Sequence, residues 1–346
     1  MDNLKDNEAK EKIGNLDDPR LPYDYINREH GTVPLDEKRP PFQWVSEVAY
    51  KNIHRIVARG YDTTELVEEG YGVVDMLFVD FQARIPTEEE EKMLNYILIL
   101  ALEDGLSMPA TLSRLVARSK TFLTQACGAS ILAFGHAYGA YAAFGNRLTS
   151  YLERARKEDK PLPEMAAELV RHYGDDEALG VSDLMLKDPA AKRMIARAEK
   201  LGVAGEHVAF MKEVVKAAQQ AGSSPVDIDM LGATGAIMAD MDFSPEATWT
   251  IIAVTRSFGA GAHYMEEVER EGTSRLGEVL TPKDLYDGPA DRPVPPLADR
   301  DKHAVPAQTH SLEEWKEELE RRKKIPASGF AIVEEIEDPK NPRKRH

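Results

Sequence analysis

The stretch VDIDMLGATGAIMADMDFSPEATWTIIAVTRSFGAGAH, residues 226–263, decides the fold class. It reads as two successive helices, at about 228–241 and 245–269, with D-F-S-P-E at 242–246 as the turn between them. Asp229 stands where a helix N-cap belongs, directly before the run 230–241.

The same texture continues outward. A helix over 88–102 follows Pro86-Thr87 and opens with the carboxylates Glu88, Glu89, Glu90 and Glu91, which suit the positive end of a helix. Further helices are predicted at 107–126, at 127–151, at about 188–202 and at about 204–220. The one at 127–151 is rich in Ala and Gly, which lets helices approach closely, so it is expected to be buried. Polar, proline-containing stretches at 156–163 and 172–189 separate these segments. Strand signals are scarce and no internal repeat is present. The first 40 residues, broken by Pro19, Pro22, Pro34 and Pro40, read as an arm. Six prolines fall within 281–309 and a charged amphipathic helix is predicted at 311–324, before a basic tail. The fold class is all-α.

Composition narrows the partners. The formal net charge of −16 repels phosphate backbones and anionic lipid, so neither nucleic acid nor a membrane surface is an expected partner. The longest apolar run, 93–102, is interrupted by Asn95 and is far short of the roughly 20 residues that span a bilayer. The mixed charges of MDNLKDNEAKEK do not read as a signal peptide. With Cys127 the only cysteine, intramolecular disulfides and multi-thiolate zinc sites are excluded, and a reducing, cytoplasmic setting is expected. No phosphate-binding or nucleophile-elbow motif occurs, and no helix carries paired His, Asp or Glu at a metal-ligand spacing that stands out, so no metal is expected.

Five pieces in order carry a resemblance. R-G-Y-D at 59–62 is followed by R-I-P-T-E-x-E at 84–90. D-I-D at 227–229, after Pro225-Val226, precedes D-F-S-P-E at 242–246. Arg256-Ser257-Phe258-Gly259-x-x-Ala262-His263 and Tyr286-Asp287-Gly288-Pro289-x-x-Arg292-Pro293 complete the series. Over roughly 41–300 the chain resembles the citrate synthase and citryl-CoA lyase superfamily. That resemblance implies an all-helical homodimer whose active site lies in the cleft between a large and a small domain. Here it implies an arm at 1–40, a large domain of 41–145 and 245–346, and a small domain of 146–244.

The resemblance also assigns roles. Asp229 matches the aspartate that removes the α-proton of an acyl-CoA. A carboxylate is a weak base in water, with a pKa of about 4, and burial brings it into range; the same residue also serves as a helix cap. Arg256 and Arg292 match the arginines that grip substrate carboxylates, the second reaching in from the partner subunit. A guanidinium fork suits a carboxylate, although Arg256 could instead make an intrahelical ion pair.

Three catalytic histidines of the family are replaced. Its G-x-x-H-G-G-A element aligns with 135–141, so the enolate-stabilising histidine becomes Tyr138, and a new histidine, His136, stands two places earlier. The carbonyl-polarising histidine becomes Val181, and the arginine of the following D-P-R becomes Ala190. The histidine of D-H-G becomes Asp104, which could contact a polar group of the substrate or cap a helix turn. Tyr138 is expected to take over the enolate and His136 to serve as a displaced base. The implied activity is carbon–carbon bond cleavage or formation on a carboxylated acyl-CoA, with CoA thioester as substrate rather than resident cofactor. The alternatives are an enolising thioester hydrolase or isomerase, and a non-catalytic homologue that binds CoA or a carboxylic acid. The family's adenine-contacting loop aligns with GDDEALG at 174–180, whose three acidic residues speak against a phosphate-bearing ligand.

Overall fold

A computed structural model describes residues 46–52, 54–135, 139–174, 178–183, 189–222, 225–271 and 293–303, with the single positions 313, 316, 317 and 320. The chain divides into two compact units, Met1–Glu267 and Val268–His346. The first unit holds a short antiparallel ribbon of β1 (Ala49–Lys51), β2 (Ile56–Ala58) and β3 (Tyr61–Asp62). Helices follow: α1 (Thr63–Glu68), α2 (Val73–Gln82), α3 (Glu88–Leu102), α4 (Met108–Ala117), α5 (Leu123–Ala133), α6 (Tyr141–Glu158) and α7 (Leu162–Tyr173). After β4 (Val181–Asp183) come α8 (Pro189–Leu201) and α9 (Glu206–Ala221); after β5 (Val226–Ile228) come α10 (Met230–Asp240) and α11 (Pro245–Glu266). In the second unit, Leu297–His303 forms a 3-10 helix, and Glu313, Lys316, Glu317 and Glu320 are helical. The all-α reading holds.

The helix at 88–102 forms where its chemistry places it. Thr87 accepts from the Glu90 N–H while Glu90 reaches back to the Thr87 N–H, a reciprocal cap. Its buried stripe, Met93, Leu94, Ile97 and Ala101, recurs at helical spacing. Two predicted helices are each split. The segment 107–126 breaks after α4, where Lys120 takes the left-handed conformation (φ 55°). Thr121 and Phe122 then make side-chain and cap bonds outside the helix ladder. The segment 127–151 breaks at Phe134, and α6 starts afresh at Tyr141. An unpredicted helix at Leu162–Tyr173 fills the interval between the two proline-containing stretches and overlaps the end of the first; Pro161 and Pro163 sit at its start, where a missing N–H costs nothing.

α10 is buried on every side and packs against α6, α8, α9 and α11. Its small residues make this possible: a side chain at Gly235 would run into the Phe144 ring of α6. At its far end Asp240, 3% exposed, accepts from the backbone N–H groups of Gly205 (2.6 Å), His207 (2.9 Å) and Val208 (3.0 Å) and so caps α9. Asp240→Ala strands three helix-start donors at once. Chemical denaturation is expected to show a loss of about 2 kcal/mol.

Candidate active site

Two close backbone approaches build the site. In the first, β4 and β5 pair antiparallel with Val181 opposite Ile228. Gly180, at φ +77°, presents its carbonyl to the Asp229 N–H at 3.2 Å. A side chain at Gly180 would press on the Gly232 Cα, and one at Gly232 would overlap the Gly180 carbonyl. Asp229 is thereby fixed as the N-cap of α10, its Oδ1 accepting from the Gly232 N–H at 2.8 Å. This bond holds the carboxylate at the N-terminus of α10, where it satisfies one of the unpaired N–H groups of the helix start. The apolar Val181 stands one ladder position from it.

In the second approach, α11 clasps the C-terminal end of α3. Arg256, Gly259 and His263 lie at i, i+3 and i+7, one face of the helix. A side chain at Gly259 would overlap the Leu102 carbonyl oxygen, so the backbones meet there only because it is glycine. Arg256 Nε donates to the Ala101 carbonyl at 2.5 Å, satisfying an unpaired acceptor of the helix end. Its Nη1 lies 2.7 Å from Asp104 Oδ2. His263 Nε2 is 3.3 Å from Glu103 Oε2. The spacing R-x-x-G-x-x-A-H is thus a docking pattern for the end of α3.

Between the two approaches sits Tyr141, the first residue of α6, buried and stacked on Phe134 with ring centroids 6.5 Å apart. Its phenol lies within electrostatic reach of Asp229, Arg256 and Asp104, and the buried Thr234 hydroxyl also acts on it. Burial pushes the phenol well above the ordinary tyrosine range. Asp229 and Asp104 push the same way, while Thr234 and Arg256 pull it back. The group is therefore a neutral donor at physiological pH. Three residues of the sequence reading, Asp229, Arg256 and Asp104, in this way all act on one buried phenol. His136, Tyr138 and Arg292 lie outside the described residues, as do the three acidic residues, 175–177, of the stretch at 174–180.

Tyr141 is the residue that the sequence reading passed over. It stands three residues after Tyr138 in the sequence, at the last position of the G-x-x-H-G-G-A alignment, where the family has alanine. That departure is visible in the sequence, but burial, which gives the residue its chemistry, is not. It has a pH signature. Its native-state pKa is raised, so the folded protein keeps its proton after the unfolded chain begins to release one, near pH 10. The associated stability is full below that pH and lost above it. Urea titrations at stepped pH are expected to show a shallower decline above about pH 10 for Tyr141→Phe than for the parent protein.

A separate cleft of roughly 700 Å³ lies between the segment 70–75, which runs into the start of α2, and the start of α3. Asp75, Glu88 and Glu91 line it without any Lys or Arg, which disfavours an anionic ligand there. Among the described residues no group of His, Cys, Asp and Glu is arranged to hold a metal ion, and no helix is long and apolar enough to cross a membrane.

Comparison with known proteins connects this geometry to a family. The model of the citrate synthase C-terminal domain matches residues 27–277. No curated protein sequence matches the chain. Among solved structures, citryl-CoA lyase from Hydrogenobacter thermophilus superposes with a TM-score of 0.62 at 23% identity, covering 73% of this chain and 97% of its own. ATP citrate lyase from Methanosaeta concilii, solved with (3S)-citryl-CoA, gives 0.59 at 15% identity, over 86% of this chain and 46% of that one. Citrate synthase from Thermoplasma acidophilum, solved with carboxymethyl coenzyme A and oxaloacetate, gives 0.53 at 23% identity, over 66% of this chain and 60% of that one. At these identities the structural likeness is one of fold.

Proposed function

The chain belongs to the citrate synthase family, and from that premise we propose that it makes or breaks a carbon–carbon bond beside a CoA thioester, on a substrate carrying at least one carboxylate. The observation that supports this reading is that Asp229, which caps α10, and the paired Arg256 and Asp104 all act electrostatically on the buried Tyr141 phenol. Asp229 takes the proton from the carbon next to the thioester carbonyl, and the electron pair of that C–H bond moves into an enolate. A phenol donates a hydrogen bond to the enolate oxygen. Tyr138 holds that place in the alignment, and Tyr141 is a protonated phenol within electrostatic reach of Asp229. In the cleavage direction the carbon–carbon bond supplies the enolate electrons, Asp229 returns a proton to carbon, and a second group takes the β-hydroxyl proton. His136 is the residue proposed for it. Arg256 and, from a partner subunit, Arg292 hold substrate carboxylates. The cleft between a 146–244 domain and the remainder of the helical body encloses the reaction, and the setting is cytoplasmic.

One observation favours a narrower chemistry. Val181, which pairs with Ile228 next to Asp229, cannot polarise a carbonyl. An isomerase that only enolises the thioester has no second carbonyl to attack and so no need of that polarisation. Both readings require enolisation, and both are separated from a binding-only role by one experiment. Solvent deuterium is expected to enter the α-carbon of acetyl-CoA or propionyl-CoA in the presence of the protein. Exchange at the uncatalysed rate would leave a ligand-binding homologue.

A homodimer is also part of the proposal. α4, α5 and α11 pack together yet leave large apolar side chains in solvent, among them Met108, Phe122, Leu132, Val254 and Phe258. Val254, Phe258 and Met265 recur at helical spacing along α11, and surface of this kind suits a second copy. A monomer in sedimentation at micromolar concentration would remove the basis for Arg292 acting across an interface.

A further inference from the structure

In the structure, the arginine that the resemblance assigns to a substrate carboxylate already holds a carboxylate of its own chain. Arg256 is recessed, with its side chain 14% exposed, and its Nη1 is 2.7 Å from Asp104 Oδ2. A guanidinium so far from water needs an anion nearby. Asp104 supplies one from a different kind of position. It lies in the loop between α3 and α4, where 102–106 are all exposed, and its own side chain is 51% exposed. Gly105 follows in the left-handed conformation (φ 58°), with open space where a side chain would be. The two partners are therefore unequal. The Ala101 carbonyl anchors Arg256 through Nε, whereas Asp104 can turn into solvent without uncovering any core.

We infer that Asp104 is an internal carboxylate that occupies the substrate-carboxylate position at Arg256 and is displaced when a carboxylated ligand binds. The inference rests on the proposed carboxylate role of Arg256. Its physical attraction is charge balance: Arg256 is paired before and after the exchange, so Asp229 and Tyr141 keep the same charge opposite them throughout. The exchange makes Asp104 a specificity determinant. A ligand whose carboxylate and carbon frame fit the site replaces it, whereas a weak or misplaced anion does not.

The test is calorimetric titration of citrate, as the carboxylate probe, into the parent protein, Asp104→Asn and Asp104→Ala, with CoA titrated in parallel. Removing an internal competitor of this exposure is expected to tighten citrate binding about three- to tenfold in both variants. Adding Arg256→Gln to Asp104→Asn is expected to cancel the gain. Citrate should also raise the melting temperature of Asp104→Asn more than that of the parent. Citrate binding that is unchanged, weaker or absent in both Asp104 variants overturns the inference, since loss of a competitor must help the ligand it opposed. The CoA titration separates this result from the broader proposal. CoA binding without a citrate gain leaves the thioester reading standing and the displacement wrong; a citrate gain without CoA binding does the reverse.

Discussion

Asp229→Asn is expected to slow deuterium exchange at the α-carbon of propionyl-CoA by about 10²- to 10⁴-fold, the usual contribution of a positioned general base. Thermal stability should move little, because this substitution separates the two roles of the residue. Asn caps a helix about as well as Asp, and its side-chain oxygen can still accept from the Gly232 N–H. What it loses is the ability to take a proton from carbon. NMR of the thioester in D₂O measures the first effect and a melting curve the second. An exchange rate equal to that of the parent would reduce Asp229 to a cap.

The second large effect is on stability. Gly259→Val places a branched side chain where a single Cβ already overlaps the Leu102 carbonyl oxygen and crowds the Glu103 carboxylate. The carboxylate can move, but the carbonyl can retreat only if the end of α3 moves with it. That movement would also pull the Ala101 carbonyl and Asp104 away from Arg256. A loss of about 3 kcal/mol is expected, at the upper end for overpacking. Gly128→Ala is the control. Gly128 also lies within a helix, α5, but nothing stands within 4 Å of its would-be Cβ. There the ordinary helix preference applies, and a gain of about 0.5–1 kcal/mol is expected. Denaturant titration of both variants tests whether the close approach, rather than glycine as such, holds α11 to α3.

How much of this was legible in the sequence follows from the range of the forces involved. The helix at 88–102 was readable because its start signal is local: Thr87 and Glu90 are three residues apart and cap each other. The helices near 188–202, 204–220, 228–241 and 245–269 were readable from the same kind of short-range pattern, within a few residues at their ends. The break after α4 was not. R-S-K-T at 118–121 has no Gly or Pro, and the left-handed Lys120 is accompanied by a tertiary contact, the Tyr264 hydroxyl donating to the Thr121 carbonyl. The helix at Leu162–Tyr173 was hidden for the opposite reason, since its prolines read as breakers when they were starters.

The site divides in the same way. Asp229 stood out because its cap position and its motif context coincide. The pairing of Arg256 with Asp104 could not be read, because it depends on how α11 docks against α3, and an intrahelical partner was the alternative expected for that arginine. Gly259 carried the clue, since a glycine in the middle of a long helix marks a place where another backbone comes close. Tyr141 was readable only as a substitution in an alignment; its burial, and the charges of Asp229 and Arg256 that act on it, are properties of the packed helices α6, α10 and α11.

The most direct measurement of the central claim is calorimetric titration of the purified protein with CoA, acetyl-CoA and carboxylated acyl-CoAs. The account predicts that the carboxylated thioesters bind more tightly than acetyl-CoA, and that Arg256→Ala removes this difference while leaving acetyl-CoA affinity unchanged. Failure of every CoA species to bind would contradict it and would place the helical site in the service of a ligand that is not a thioester.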